Sequence, residues 1–334
     1  MADDALSDVL RSVRLRGAVF FNVSGHSEWA VEAPAASELA PLIMRGVDHV
    51  MEYHVVVRGS CWAGIPGGPS AQLGTGDAVM FPHGDAHVMS SAPGLRGAEP
   101  NFGWLPGTPR DQLPVRLSFA GQNVLPAAPP AADGDAAIVC GFLGCDLRPF
   151  NPLIAALPRL LHLRADGHND WLASFTQQAV TESHARRAGA EAMLSRMSEM
   201  MFIDAVCRYA DQLPPHSAGW LAALRDRFVG RALALMHEQP GQGWTIDELG
   251  RQAGLSRSSL HERFMQLIGV PPMQYLAQWR MQAAARLLLE TRATVAAIAL
   301  DVGYDSEAAF ARAFKRQVGK PPGAWRRERD AVTG

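Results

Sequence analysis

Four cysteines in 334 residues are too few for the disulfide framework of a small secreted protein. No apolar run approaches the roughly 20 residues that a membrane helix needs. The opening Met1-Ala-Asp-Asp-Ala5 is acidic, the wrong sign for a secretory signal. These absences place the expected protein in the cytoplasm and off the membrane. What remains is an ordinary globular composition, 48% hydrophobic and 19% charged, with length for two or three domains. The net charge of -2 hides an asymmetry. From Leu221 onward 16 Arg and Lys face 11 Asp and Glu, whereas the preceding part has 15 against 22. A basic carboxyl end beside an acidic partner fits nucleic-acid contact at one end only.

That basic end carries one pattern twice. Copy one starts at Thr245-Ile-Asp-Glu248 and runs through Gly254 and Ser256 to Leu260 and Phe264; Ile268-Gly-Val-Pro-Pro272 and Tyr275 follow. Copy two has Thr294, Ile298, Gly303, Ser306, Phe310 and Phe314, then Val318-Gly-Lys-Pro-Pro322 and Trp325. Each reads as a helix, a tight turn and a second helix. Thr245 caps the first helix, with Glu248 completing a capping box. Gly254 ends it in the left-handed conformation that glycine adopts most cheaply. Ser256 caps the next helix, where Leu260 and Phe264 point inward at i, i+4 spacing. A helix-turn-helix of this kind lays its second helix in the DNA major groove. Two copies joined by a helical run over Met273–Leu289 make the signal strong.

These residues resemble the C-terminal domain of the AraC/XylS family of bacterial transcription regulators. The resemblance rests on Ile298-Ala-x-x-x-Gly-Tyr304, Phe310-x-Arg-x-Phe-Lys315, Gly319-x-Pro-Pro322 and Arg280-x-x-x-Ala-x-x-Leu-Leu288. It implies two helix-turn-helix units on a long linker helix, reading adjacent major grooves of double-stranded DNA. It also implies contact with RNA polymerase. With the inward positions taken, the DNA-facing candidates are Arg257, Ser258, Ser259, His261 and Glu262 in the first unit. In the second they are Ser306, Glu307, Ala308, Arg312 and Lys315. Arg312 can read guanine or grip a phosphate, while Lys315 and Arg316 suit the backbone. Glu262 departs from the charge expected against DNA. For one helix alone, a merely solvated charged face would be the better reading; the duplication reverses it.

The amino-terminal part opens with a short amphipathic stretch over residues 1–12. From Val13 to Asp146 it is rich in Gly and Pro, with strand candidates at Ala18–Val23, Met51–Val57, Ala78–Phe81, Val115–Phe119 and Ala136–Phe142. Many short strands with turn signals suggest a sandwich or barrel. Gly76-x5-Pro82-x-Gly84-x2-His87 resembles the second cupin motif: a glycine turn, a strand, a proline-glycine turn, and a strand whose first histidine turns inward. Glu52-Tyr-His54 with Gly59 keeps only part of the first cupin motif, so a jelly-roll barrel is expected without the usual cupin metal site. Gly74-Thr-Gly76 lacks the third glycine and helix of a dinucleotide loop. His83, His87, Cys140 and Cys145 together form a complete ligand set for a closed zinc site. Packing cysteines beside a solvent-facing histidine, or a Cys140–Cys145 dithiol switch, are the alternatives that spacing leaves open.

From Asn151 the pattern turns helical: Pro152–His162, Asn169–Arg187 and Gly189–Leu213. The last carries Met193, Met197, Met200 and Met201 on a face that either packs on the barrel or pairs two subunits as a homodimer. Pro214–Gly219 reads as a linker, and Asp226–Glu238 as the helix opening the final domain. The expected architecture is α+β and multidomain. Residues 1–150 form a cupin-like sensor, 151–220 a helical linker and dimerisation segment, and 221–330 an all-α domain with two helix-turn-helix motifs. The expected function is sequence-specific transcription regulation, with the barrel sensing an unidentified small molecule, metal or redox signal. A metal-dependent cupin enzyme with a DNA-binding tail is the main alternative and would need an open site, for which Glu52, His54 and His87 supply three ligands. An adaptor that binds no DNA is a third reading.

Overall fold

A computed structural model of the chain describes residues 5–13, 15–44, 46–97, 115–125, 132, 135–165, 174, 177–178, 181 and 189–333. Two compact units divide it: Leu15–Cys145 with Leu157–Tyr209, and Met1–Arg14 with Asp146–Ala156 and Ala210–Gly334. The sequence boundaries at 150 and 220 therefore differ from the spatial division. Among the described residues no helix is long and apolar enough to cross a membrane.

The first unit is the expected cupin jelly-roll barrel. Its strands are β1 (Arg16–Ala33), β2 (His49–Arg58), β3 (Ser60–Gly64), β4 (Ser70–Gly74), β5 (Ala78–Phe81), β6 (His87–Ser90), β7 (Val115–Gly121), β8 (Asn123–Leu125), β9 (Ala136–Cys145) and β10 (Leu161–Leu163). Their order is β10-β5-β2-β9-β1-β6-β3-β4, with β7 also pairing β1. The 18-residue β1 serves both sides. Its first half pairs antiparallel with β9, and Ala30–Ala33 pair with β6. Between His26 and Trp29 the register against β7 breaks, with Ser27 at φ 55°. A bulge of this kind bends a strand and raises its twist. It brings both halves of the sheet around Phe21, Val23, Val56, Leu73, Phe81, Ile138 and Phe142, all buried.

The long helix Ala190–Gln212 buries Leu194, Ser198, Met201, Phe202, Ala205 and Val206. Ser198 donates to Leu194 O, so the buried Tyr53 hydroxyl donates to Ser198 Oγ at 2.6 Å. Gly17 lies where this helix meets β1, and a Cβ there would collide with the Ser195 carbonyl. The helix expected over Pro152–His162 stops at Ala156, because Pro158 cannot continue it, and the chain then enters β10. The helix expected over Asn169–Arg187 falls almost wholly outside the described residues.

The second unit is helical. Its elements are α1 (Ala5–Ser12), α3 (Pro152–Ala156), α5 (Trp220–Arg225), α6 (Val229–Glu238), α7 (Ile246–Ala253), α8 (Arg257–Ile268), α9 (Pro272–Glu290), α10 (Val295–Asp301), α11 (Glu307–Val318) and α12 (Pro322–Thr333); α2 (Ala36–Ile43) and α4 (the Ala190–Gln212 helix) lie on the barrel side. The expected start of α6 at Asp226 shifts to Val229, since the Asp226 carboxylate accepts from the N–H groups of Phe228 and Val229 and so acts as a cap. The 214–219 stretch is tied down at its end, where Gly219 N donates to Leu267 O at 2.8 Å. The amphipathic start is α1, and it packs against α6 and α9. There the buried Gln282 amide donates to Ser12 O at 2.9 Å and accepts from Phe150 N at 3.0 Å.

His237 stacks on Trp279 at 3.7 Å. The Tyr275 hydroxyl accepts from Trp220 Nε1 at 2.8 Å and donates to His237 Nε2 at 2.9 Å. That bond needs a neutral imidazole, and burial pushes the His237 pKa down to about 3. In acid the unfolded chain's imidazole takes up a proton that the folded one refuses. Stability is therefore expected to fall by about 1.4 kcal/mol per pH unit from this group below the unfolded value near 6.5. Urea unfolding at several pH values, with His237→Phe showing a shallower slope, measures it.

Candidate DNA-reading surface and barrel site

Both predicted helix-turn-helix units form, and each has the expected caps. The hydroxyls of Thr245, Ser256, Thr294 and Ser306 accept from the N–H groups of Glu248, Ser259, Ala297 and Ala309, at 3.1, 3.2, 3.1 and 3.2 Å. Only half of the capping box forms, because the Glu248 carboxylate turns to Arg251 and Gln252. Gly254 and Gly303 adopt φ of 85° and 80°, as the turn requires. Leu260, Phe264, Phe310 and Phe314 are fully buried. Arg280 on α9 joins the copies by donating to the carbonyls of Pro240, Gln242 and Gly303.

All ten DNA-facing candidates are exposed, but they are not equally available. The Ser258 and Ser259 hydroxyls turn to Ser256, the last at 2.9 Å. Ser306 is occupied as a cap, and Arg257 lies 3.4 Å from Asp247. Arg263 is held by Asp226 at 2.5 Å and lies over the Phe228 ring. His261, Glu262, Glu307, Ala308, Arg312 and Lys315 complete the two outward faces. The chain's only two lysines, Lys315 and Lys320, both belong to the second unit.

The barrel holds a second group. Glu52 and His54 sit two apart on β2 and share a face, with His54 opposite Cys140 on β9. Gly76, at φ 91°, and Gly84, at φ 69°, make the turns around β5, and β6 begins with an inward, buried His87. His54 Nε2 lies 2.7 Å from His87 Nε2, and His54 Nδ1 lies 2.9 Å from Cys140 Sγ. His87 Nδ1 donates to Asp85 O at 2.9 Å. That bond fixes every proton in the chain: the Cys140 thiol donates to His54, and His54 donates to His87. Burial holds His54 well below the ordinary imidazole range, His87 at about 4 and the Cys140 thiol well above its ordinary value. It also lifts the Glu52 carboxyl to about 8. The Glu52 Oε2 atom lies 3.6 Å from His87 Nε2, and Oε1 has no hydrogen-bond partner. Above the group is an apolar cavity of about 50 Å³, walled by Phe21, Leu39, Met89, Phe119 and Ile138 among others.

The zinc set read from the sequence is not assembled. Among the described residues, the one group of three possible metal ligands is Glu52, His54 and His87, with ligand atoms within 4.8 Å of one another. His83 is exposed and donates to Leu157 O at 2.9 Å. Cys140 and Cys145 both lie on β9, whose strand runs three residues beyond its expected end. Five residues apart, their side chains leave opposite faces, about 17 Å apart along the strand. The same parity excludes a disulfide between them. The observed trio fits a metal ion: its donors are oxygen and imidazole, His87 presents its Nε2 lone pair to the group, and Glu52 has an unsatisfied oxygen.

Phosphate contacts release counterions, so the salt dependence of DNA binding reports them. The double substitution Lys315→Ala, Arg316→Ala is expected to flatten the slope of log K against log salt by about 1.8, roughly 0.9 for each phosphate left without its cation. Fluorescence anisotropy from 50 to 300 mM salt, a span of the order over which such slopes are read, would show it.

A cupin family model matches residues 4–211, and a helix-turn-helix domain model matches residues 249–328. A putative AraC-like transcription regulator of Streptomyces lividans is 29% identical over 326 residues, covering 97% of this chain and 98% of its own. The HTH-type transcriptional regulator AlkR of Acinetobacter baylyi is 26% identical over 329 residues, covering 97% and 99%. The solved C-terminal domain of AraT, a response regulator from Geobacillus stearothermophilus, is 30% identical and covers 31% of this chain and 86% of its own, with a TM-score of 0.30. With its matching cupin domain, paired helix-turn-helix units and full-length relatives, the chain belongs to the AraC-type DNA-binding transcription regulators that carry a cupin domain at the amino end.

Proposed function

We propose that the barrel interior is the signal site and that its occupancy controls what the paired helix-turn-helix units do on DNA. One observation carries this: a buried carboxyl and two imidazoles converge beneath an apolar cavity, with one Glu52 oxygen unsatisfied. An unpaired buried oxygen costs on the order of 1–3 kcal/mol, a cost that a ligand or ion removes. The site is read as regulatory, not enzymatic, because the cavity has room only for a few waters or a small apolar group and full-length relatives are named regulators.

The ion that suits the donors is zinc, held by Glu52, His54 Nε2 and His87 Nε2. Bound there, zinc would supply one open coordination position for an effector atom. To hold the ion, His54 would carry its proton on Nδ1 and the Cys140 thiol would turn to accept from it. The alternative is a metal-free site in which the neutral Glu52 carboxyl donates to a polar effector atom. Burial, which raises its pKa to about 8, favours that form when no ion is present.

Two partners complete the reading. Met193, Met200, Ile203 and Cys207 are exposed on α4 at spacings of seven, three and four, the pattern of a two-helix seam. A second copy of this chain is the occupant, which would pair the DNA-reading units in the cytoplasm. RNA polymerase is the partner expected once DNA is bound.

Metal analysis of untagged protein tests the site. Wild type should hold about one zinc per chain, Glu52→Gln and His87→Ala little, and His83→Ala and Cys145→Ser a full complement. Zinc retained by Glu52→Gln and His87→Ala would defeat the assignment; metal-free wild type whose Glu52→Gln variant loses effector response would favour the carboxyl alternative. For the seam, Met200→Glu should convert a dimer into a monomer in sedimentation equilibrium.

A further inference from the structure

The caps and buried positions of α8 and α11 superpose with a shift of fifty residues. Ser256 matches Ser306, Leu260 matches Phe310, Phe264 matches Phe314 and Gly269 matches Gly319. In that register Glu262 corresponds to Arg312. Each lies two residues beyond a fully buried side chain, about 200° round the helix from it, so each stands at the centre of the outward face. The flanking outward positions are Ser258 and Gln266 in the first helix, and Ala308 and Arg316 in the second. Met265 matches Lys315. The first-turn charges are reversed as well, Arg257 against Glu307. Of the other cations on α8, Arg263 is held by Asp226 and Arg257 lies beside Asp247.

We infer that the two units read opposite base chemistry, with Glu262 specifying an amino-bearing base, cytosine, where Arg312 specifies guanine at the matching place in the second subsite. This rests on both helices lying in the major groove. A carboxylate there is repelled by the phosphates on either side, so it is tolerated only where a base donates to it. In the major groove the cytosine N4 amino group is the donor that suits Glu, whereas Arg bonds guanine O6 and N7 with two parallel hydrogen bonds. The units are tandem copies, so equivalent positions meet equivalent places of successive subsites. The operator is therefore asymmetric within one subunit's footprint. The second unit, with Arg312, Lys315, Arg316 and Lys320, supplies most of the grip, and the first supplies discrimination.

The test is selection of full-length protein on a randomised duplex library, followed by sequencing. Wild type should select C at one position of the first subsite and G at the matching position of the second. Glu262→Gln should move the first preference to A, since Gln pairs with adenine N6 and N7. Glu262→Ala should relax that position alone, with discrimination there falling about 5- to 150-fold, while raising affinity for random DNA. Arg312→Ala should relax the guanine position and no other, with weaker binding to all sequences. The inference is overturned if Glu262 variants leave the first subsite unchanged or alter the second instead. Should wild type select no sequence at all, the DNA-reading surface itself fails, and that outcome is separate from the first. Thermal melts of the variants confirm folding, which a change at this exposed position should leave intact.

Discussion

Two side chains four residues apart, driven out of water, set the rotation of each recognition helix. Leu260 with Phe264, and Phe310 with Phe314, anchor one stripe in the core and leave no choice about which residues look outward. A face defined by the burial of its opposite side needs no interaction of its own to stay in place. It is free to carry charges that would be unfavourable elsewhere, Glu262 included. The serine caps and the glycine turns keep the start of each helix fixed, so a substitution on the outward face changes what is read without moving the reader.

The barrel works by the opposite logic, since its functional groups are inside and held neutral. Desolvation penalises charge on His54, His87, Glu52 and Cys140 alike, and the hydrogen-bond chain ending on Asp85 O assigns each proton. Such a site is sensitive because it is satisfied at all but one atom. Anything that places a charge or a lone pair near Glu52 must redistribute protons along β2, β6 and β9 together. The thiol of Cys140 belongs to that chain as a donor, and its raised pKa makes it a poor nucleophile for oxidants.

The sequence reveals most where its signals are local. Caps, glycine turns and i, i+4 apolar pairs are decided within a dozen residues, and both helix-turn-helix units form where the sequence places them. The second cupin motif is equally local, and His87 turns inward as its spacing requires. The zinc set fails because it depends on which strand face each cysteine takes. With β9 ending at Phe142, Cys145 would be free to turn back; with β9 running to Cys145, parity sends it the other way. His54 was legible as a ligand only beside Glu52, within a motif that lacks its usual histidine pair. The amphipathic face of α1 was legible, but where it docks, beside residues 146–156 in the helical unit, was not, because tertiary contacts such as those of Gln282 carry it.

That last contact has a consequence for how the molecule is made. The helical unit is sewn from three stretches of chain, the first containing α1 and the last ending with α12. During synthesis α1 leaves the ribosome before either helix it settles on, α6 or α9, has been made. The barrel, almost entirely encoded before that point, can close first. Birth order thus runs from sensor to reader, and α1, made before the barrel, finds its place only with the reader.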